Sequence, residues 1–192
     1  MKKVLLIVFA LVFSATSALA ENWKIDPDHS AANFAIQHMM IAKVRGAFPD
    51  IKGTLEFSDG KPTTFNVIIA VDSLDTGVDK RDTHLKSGDF LEAAKYPNMT
   101  FVSSRITQTS KGFGAMGKLT VKGISRDATF IVTGLNDLRK DPWGHTRLGG
   151  KAEITIDRRN FGVGWNQPID GGGILIGNEV EIIVDFELLQ DK

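Results

Sequence analysis

Four histidines, His29, His38, His84 and His145, are the residues of this sequence best suited to metal binding or proton transfer, and their spacing supports neither role. None forms an i, i+4 pair or an H-E-x-x-H run on a helical stretch. Asp26-Pro27-Asp28-His29 is the best local candidate for a surface cation, but acidic residues around a proline are ordinary turn chemistry, so no metal is expected. The sequence has no cysteine, which removes disulfides, thiolate metal centres and a cysteine nucleophile. Gly112-Phe113-Gly114-Ala115-Met116-Gly117 matches a dinucleotide glycine fingerprint in spacing alone. A strand pattern, Lys118 to Val121, follows it where the fingerprint needs a helix, so no nucleotide cofactor is expected and the glycines read as a bulge or close backbone approach. Asn98-Met99-Thr100 fits a glycosylation acceptor, a three-residue match that carries no argument. No G-x-S-x-G elbow is present, and the chain is expected not to be an enzyme.

One polar cluster keeps a chemical reading. In Asp79-Lys80-Arg81-Asp82-Thr83-His84, either aspartate suits the start of a helix. Arg81 and His84 then face solvent, or they stand at the rim of a cavity and hold the polar or anionic head of a ligand.

The elements that position these residues follow from period-two alternation, the mark of strands with one apolar face. Phe34, Ile36, His38 and Met40 alternate with polar or small neighbours. So do Ile51, Leu55 and Phe57; Phe65, Val67, Ile69 and Val71; Leu119 and Val121; Phe130 and Val132; Ile154 and Ile156; Phe161, Val163 and Trp165; and Val180 through Leu188. Seven to nine strands are expected, separated by turns such as Ser58-Asp59-Gly60-Lys61-Pro62. Only Asp79 to Lys95 departs, with Leu85, Phe90, Leu91 and Ala94 spaced for a helix or two short helical turns. The long apolar last strand needs a partner on each edge, which favours closure into a barrel. An eight-stranded barrel is either filled by its own side chains or just wide enough for one small ligand, and composition does not choose between them.

The sequence has 192 residues, with 23 basic and 23 acidic side chains. A balanced charge argues against a nucleic-acid partner, which calls for a basic face. Residues 1–20 read as a cleavable secretory signal: Lys2 and Lys3 give a positive start, Val4 to Phe13 an apolar run too short to span a bilayer, and Ala18-Leu19-Ala20 a cleavage site after Ala20. Residues 21–192 then form one exported domain, two charges on the acidic side of neutral, with no stable membrane insertion expected.

The segment from Arg81 through Ser87-Gly88-Asp89-Phe90-Leu91, continued by Lys95-Tyr96-Pro97-Asn98-Met99-Thr100-Phe101, resembles the signature of the YceI-like family of bacterial polyisoprenoid-binding proteins. Trp23 to Asp26, Phe34 to His38, Gly117 to Gly123, Asp141 to Gly144, Arg158 to Gly162 and the closing alternation extend the likeness over nearly all of residues 21–192. The resemblance implies a lipocalin-like fold: an eight-stranded antiparallel barrel, a helix beside the mouth, and a hydrophobic tunnel for an isoprenoid or other long-chain lipid. It also implies a periplasmic location and pairing of barrels as homodimers.

On this reading the ligand-binding residues are Phe34, Ile36 and His38; Val67, Ile69 and Val71; Phe101, Leu119, Val121 and Phe130; Phe161, Val163 and Trp165; with Arg81 and His84 at the mouth. The expected role is a carrier or sequestering protein for polyprenyl phosphates, quinones or similar amphiphiles. Burying about ten methylene-sized groups at ~0.8 kcal/mol each supplies roughly 8 kcal/mol, near micromolar affinity before ordering costs. The rival readings are a lipid hydrolase or isomerase using Asp or His groups at the mouth, and a structural module with a filled interior.

Overall fold

The alternating segments form strands in the computed structural model, which describes residues 21–191; the expected signal segment and cleavage site lie outside the described residues. The strands are β1 (Glu21–Ile25), β2 (Ala31–His38), β3 (Ala42–Phe48), β4 (Ile51–Ser58), β5 (Lys61–Ala70), β6 (Asn98–Thr109), β7 (Gly112–Val121), β8 (Ile124–Gly134), β9 (Arg139–Lys140), β10 (Thr146–Asp157) and β11 (Ile176–Gln190). Among the described residues a single α-helix, α1, covers Asp79–Lys86.

These segments make eight barrel positions, because two long strands are each broken once. A 3-10 turn at Pro27–His29 separates β1 from β2, and Pro49 with Asp50 separates β3 from β4. The first break follows from local chemistry: the Asp26 carboxylate accepts from the Asp28 N–H while proline opens the turn. Both halves stay in line. β11 pairs with β2 along its first part and with β1 at its end, and β4 pairs with β1 as β3 does with β2. From there the order runs β4, β5, β6, β7, β8, β10, all antiparallel. Pairing of β10 with β11, from Arg147↔Leu189 to Asp157↔Glu179, closes the ring. Closure gives the long apolar last strand a partner on each side.

Gly117 shows why glycine recurs within β7. A Cβ there would lie 2.2 Å from the Val102 carbonyl oxygen and 2.7 Å from the Ser103 Cα. The register shifts opposite it, between Ser103 and Arg105 of β6, so Gly117 marks a close backbone approach beside a bulge in β6.

One end of the barrel is packed shut. Trp23, Phe57, Leu148 and Leu188 are all at most 4% exposed there, with the Trp23 and Phe57 rings 6.0 Å apart. Outside this plug Arg147 joins three elements. Its guanidinium donates to Asp26 at 2.5 Å, Glu187 at 2.9 Å and Asp141 at 2.9 Å. The Nδ1 atoms of His29 and His145 bond to the same oxygens that accept from Arg147, Oδ2 of Asp26 and Oδ2 of Asp141. The acidic turn considered for a cation is thus engaged by a guanidinium. Burial pushes the Asp26 carboxyl up, but hydrogen bonds from Arg147, His29 and the Asp28 N–H outweigh it and leave it below the usual carboxylate range.

Three expectations about element boundaries change. β2 ends at His38, and Met39 and Met40 (φ 49° and 61°) form the hairpin turn into β3, so Met40 leaves the alternation and is exposed. Neither Asp79 nor Asp82 caps α1. Val78 sits at its N-cap, Asp79 is its first residue, and the Asp82 carboxylate instead accepts from the Thr76 N–H. Phe161, Val163 and Trp165 are not a strand, because Arg158–Phe161 is a 3-10 turn ended by Gly162 in the left-handed region (φ 71°), and an irregular segment follows.

Candidate functional site

At the end opposite the plug the inward faces of the strands do not meet, and they enclose a cavity of about 600 Å³. Its floor is Leu55, Phe65, Ala115, Val132 and Phe186; its walls include Phe34 and Ile36 of β2, Val67 and Ile69 of β5, Phe101 of β6, Leu119 and Val121 of β7, and Phe130 of β8. The Phe101 and Phe130 rings meet edge to face at 4.8 Å. Wall residues such as Val67, Ile69 and Ile36 are only half-buried although they point inward, because they face open space rather than a packed neighbour. The interior is therefore not filled by its own side chains, which is the choice that composition leaves open.

The mouth is covered on one side by the segment between β5 and β6. Helix α1 is polar and buries no residue of its own. It is tied down by Lys86 donating to the Asp72 carbonyl, by Lys122 donating to the Gly88 carbonyl, and by Phe90 and Ala93 beyond its end, each 4% exposed. His84 sits edge-on to both Phe90 and Trp165, each 5.0 Å away, and its Nε2 pairs with Asp89 at 2.9 Å. Arg81 donates from Nε to the Thr76 hydroxyl and from Nη2 to the Thr76 carbonyl. Both side chains belong to residues that line the cavity, as do His38, Phe161, Val163 and Trp165.

Of the expected ligand-binding residues, Val71 alone lies outside the cavity wall. It begins a 3-10 turn, donates its N–H to the Pro97 carbonyl and is 1% exposed. The strand ends at Ala70, so the alternation that places Val67 and Ile69 inward does not extend to it. Conversely, Leu85, Phe90, Leu91, Val184, Phe186 and Arg158 line the cavity without having been selected from the sequence. Val184 and Phe186 were visible in the last strand's alternation. The two leucines and Phe90 were visible in the helical spacing after Asp79.

Arg158 carries no periodicity signal, although it opens one of the segments that bear the family likeness. It is 5% exposed, and its guanidinium donates to four main-chain carbonyls: Gly177 at 2.9 Å, Val163 at 2.8 Å, Trp165 at 2.9 Å and Ile176 at 3.4 Å. It thereby pins the irregular segment carrying Val163 and Trp165 to the start of β11. Burial pulls its ionisation below the ordinary guanidinium value, partly offset by neighbouring Asp157, yet an arginine remains charged.

Comparison with known proteins agrees with this geometry. Residues 23–188 match the family model for the YceI-like domain. The chain is 38% identical over 198 residues to Protein YceI of Escherichia coli O17:K52:H18, covering all of both chains, and 35% identical to Protein YceI of Salmonella newport, covering 95% and 94%. Among solved structures it is similar to Burkholderia cenocepacia BcnA, with TM-score 0.70 and 25% identity over 85% of this chain and 98% of that one. It also shares the fold of a polyisoprenoid binding domain from Saccharophagus degradans, with TM-score 0.61 and 14% identity over 88% and 98%. The signature residues, the closed eight-stranded barrel and the matched span together place this chain in the YceI-like family.

Proposed function

We propose that this protein binds long-chain isoprenoid-type lipids, polyprenyl phosphates, quinones or similar amphiphiles, and carries or sequesters them in the periplasm without transforming them. The observation that supports this most is the open cavity of about 600 Å³ with apolar walls and one covered mouth. A water molecule occupies ~30 Å³ in the liquid, so this space takes about twenty groups of that size, the length of four isoprene units. The family resemblance and the shared fold with a polyisoprenoid binding domain support the same class of ligand. The ligand-binding role extends to the cavity residues selected from the sequence, Phe34 through Trp165, with Val71 removed.

Residues 1–20 act as the export signal, and the exported chain begins at Glu21, which the intact mass of the periplasmic protein checks. Self-pairing of barrels is checked by light scattering. Binding itself is tested by titrating delipidated protein with geranylgeraniol while following Trp165, whose ring is packed against His84 and Phe90 at the mouth. The expected result is a saturable emission change that Trp165→Phe removes while calorimetric binding persists. A delipidated, folded protein that takes up no prenyl lipid by calorimetry would refute the proposal.

A further inference from the structure

Every charged residue lining the cavity is cationic. None of the 23 acidic residues of the sequence lines it, whereas Lys80, Arg81 and Arg158 do. Among the described residues, none of these three forms an ion pair with a carboxylate. Asp157, the neighbour of Arg158, is turned to Arg159 at 2.5 Å. Asp82, on the same helix as Arg81, accepts from Thr76 instead. Asp89 is engaged with His84. A guanidinium has five N–H donors, and the four carbonyls around Arg158 leave one Nη2 hydrogen without an acceptor among the described residues. Two connections hold these groups at one end of the barrel. Arg81 and His84 lie a turn apart on α1, and the His84 ring meets Trp165, whose carbonyl accepts from Arg158.

A buried or half-buried cation with no counter-charge is costly unless something compensates it. Main-chain carbonyls compensate Arg158 in part, and water does so for Lys80. An apolar tail entering the barrel displaces that water and leaves the mouth positive, a setting that favours a negative head. We propose that the ligand head is an anion of the phosphate type, held at the mouth by Lys80 and Arg81 against the positive wall made by Arg158, so that the barrel prefers acidic prenyl lipids to neutral ones with the same tail. This rests on the lipid-binding reading above and narrows its class.

The test compares geranylgeranyl phosphate with geranylgeraniol by calorimetry at low and high salt. A charge-assisted hydrogen bond to the head makes the phosphate bind about tenfold tighter or more at low salt, and added salt narrows the gap. The exposed-side double variant Lys80→Gln with Arg81→Gln, checked for an unchanged melting point, lowers the ratio of the two affinities at least about threefold, as loss of partly solvated charge contacts does. Equal binding of both probes by wild type, or an unaltered ratio in the folded double variant, overturns the anionic head while leaving tail binding in place. Failure of both probes to bind overturns the lipid-binding reading itself.

Discussion

Replacing Ile69 by aspartate places an ionisable group on the cavity wall at a point where its consequence is calculable. Ile69 pairs across the sheet with Ile51 and Met99 and faces the cavity half-buried. With the cavity empty, water reaches the new carboxylate through the mouth and the barrel folds. A tail lying along the wall excludes that water, so the carboxyl must bind its proton first. From an ordinary value of about 3.9, holding it neutral at pH 7 costs about 4 kcal/mol, or roughly a thousandfold in affinity. The loss recovers about tenfold for each unit the pH is lowered toward 4. Ile69→Asn, which buries a polar group without a charge, loses about 1–3 kcal/mol, and that loss does not vary with pH. Titration with uncharged geranylgeraniol between pH 4.5 and 7.5, with thermal melts to show that both variants are folded, reads the two curves directly. A folded Ile69→Asp protein that binds within a few fold of wild type at pH 7 refutes the placement of the tail against β5.

Other expectations follow from the same framework. Affinity for a series of prenyl alcohols rises with chain length and flattens near about twenty carbons, where the cavity is full; calorimetry that shows a continued rise contradicts the cavity's size. Arg147→Met leaves Asp26 and Asp141 without their cation and lowers stability to urea at pH 7. Because both carboxyls are held below their ordinary values, the contribution is complete above about pH 4 and is lost as pH falls through the depressed values. The difference between variant and wild type therefore closes in acid. Gly117→Val forces a side chain against the Val102 carbonyl and destabilises the barrel by about 1–3 kcal/mol or more, measured by chemical denaturation, whereas Gly88→Ala, with open space at its Cβ, leaves stability within about 0.5 kcal/mol.

Alternation made the barrel legible in the sequence, because each strand with one inward face writes its orientation every second residue. Phe65, Val67 and Ile69 show it well: the floor and wall positions of β5 follow from their spacing. The same pattern carries no mark of where a strand stops, which is why Val71, already in a turn, fits the alternation and misses the cavity. Phe161, Val163 and Trp165 reach the cavity for a different reason than the pattern gives. A turn ended by Gly162 brings them there and the Arg158 guanidinium fixes them, through carbonyls that no sequence motif reveals. The polar run after Asp79 was legible as a helical insertion because its apolar residues switch to helical spacing, and its place beside the mouth follows from the family resemblance. Its anchoring was not, since Lys86 and Lys122 hold it through main-chain oxygens distant in sequence.

Native mass spectrometry of the protein isolated from its own cells, released under conditions that retain noncovalent ligands, tests the central claim most directly. The account predicts a chain beginning at Glu21 with an added mass that organic extraction removes and that fragments as a prenyl lipid bearing an acidic head. A protein that emerges without added mass, and takes up no prenyl lipid when one is supplied, contradicts it.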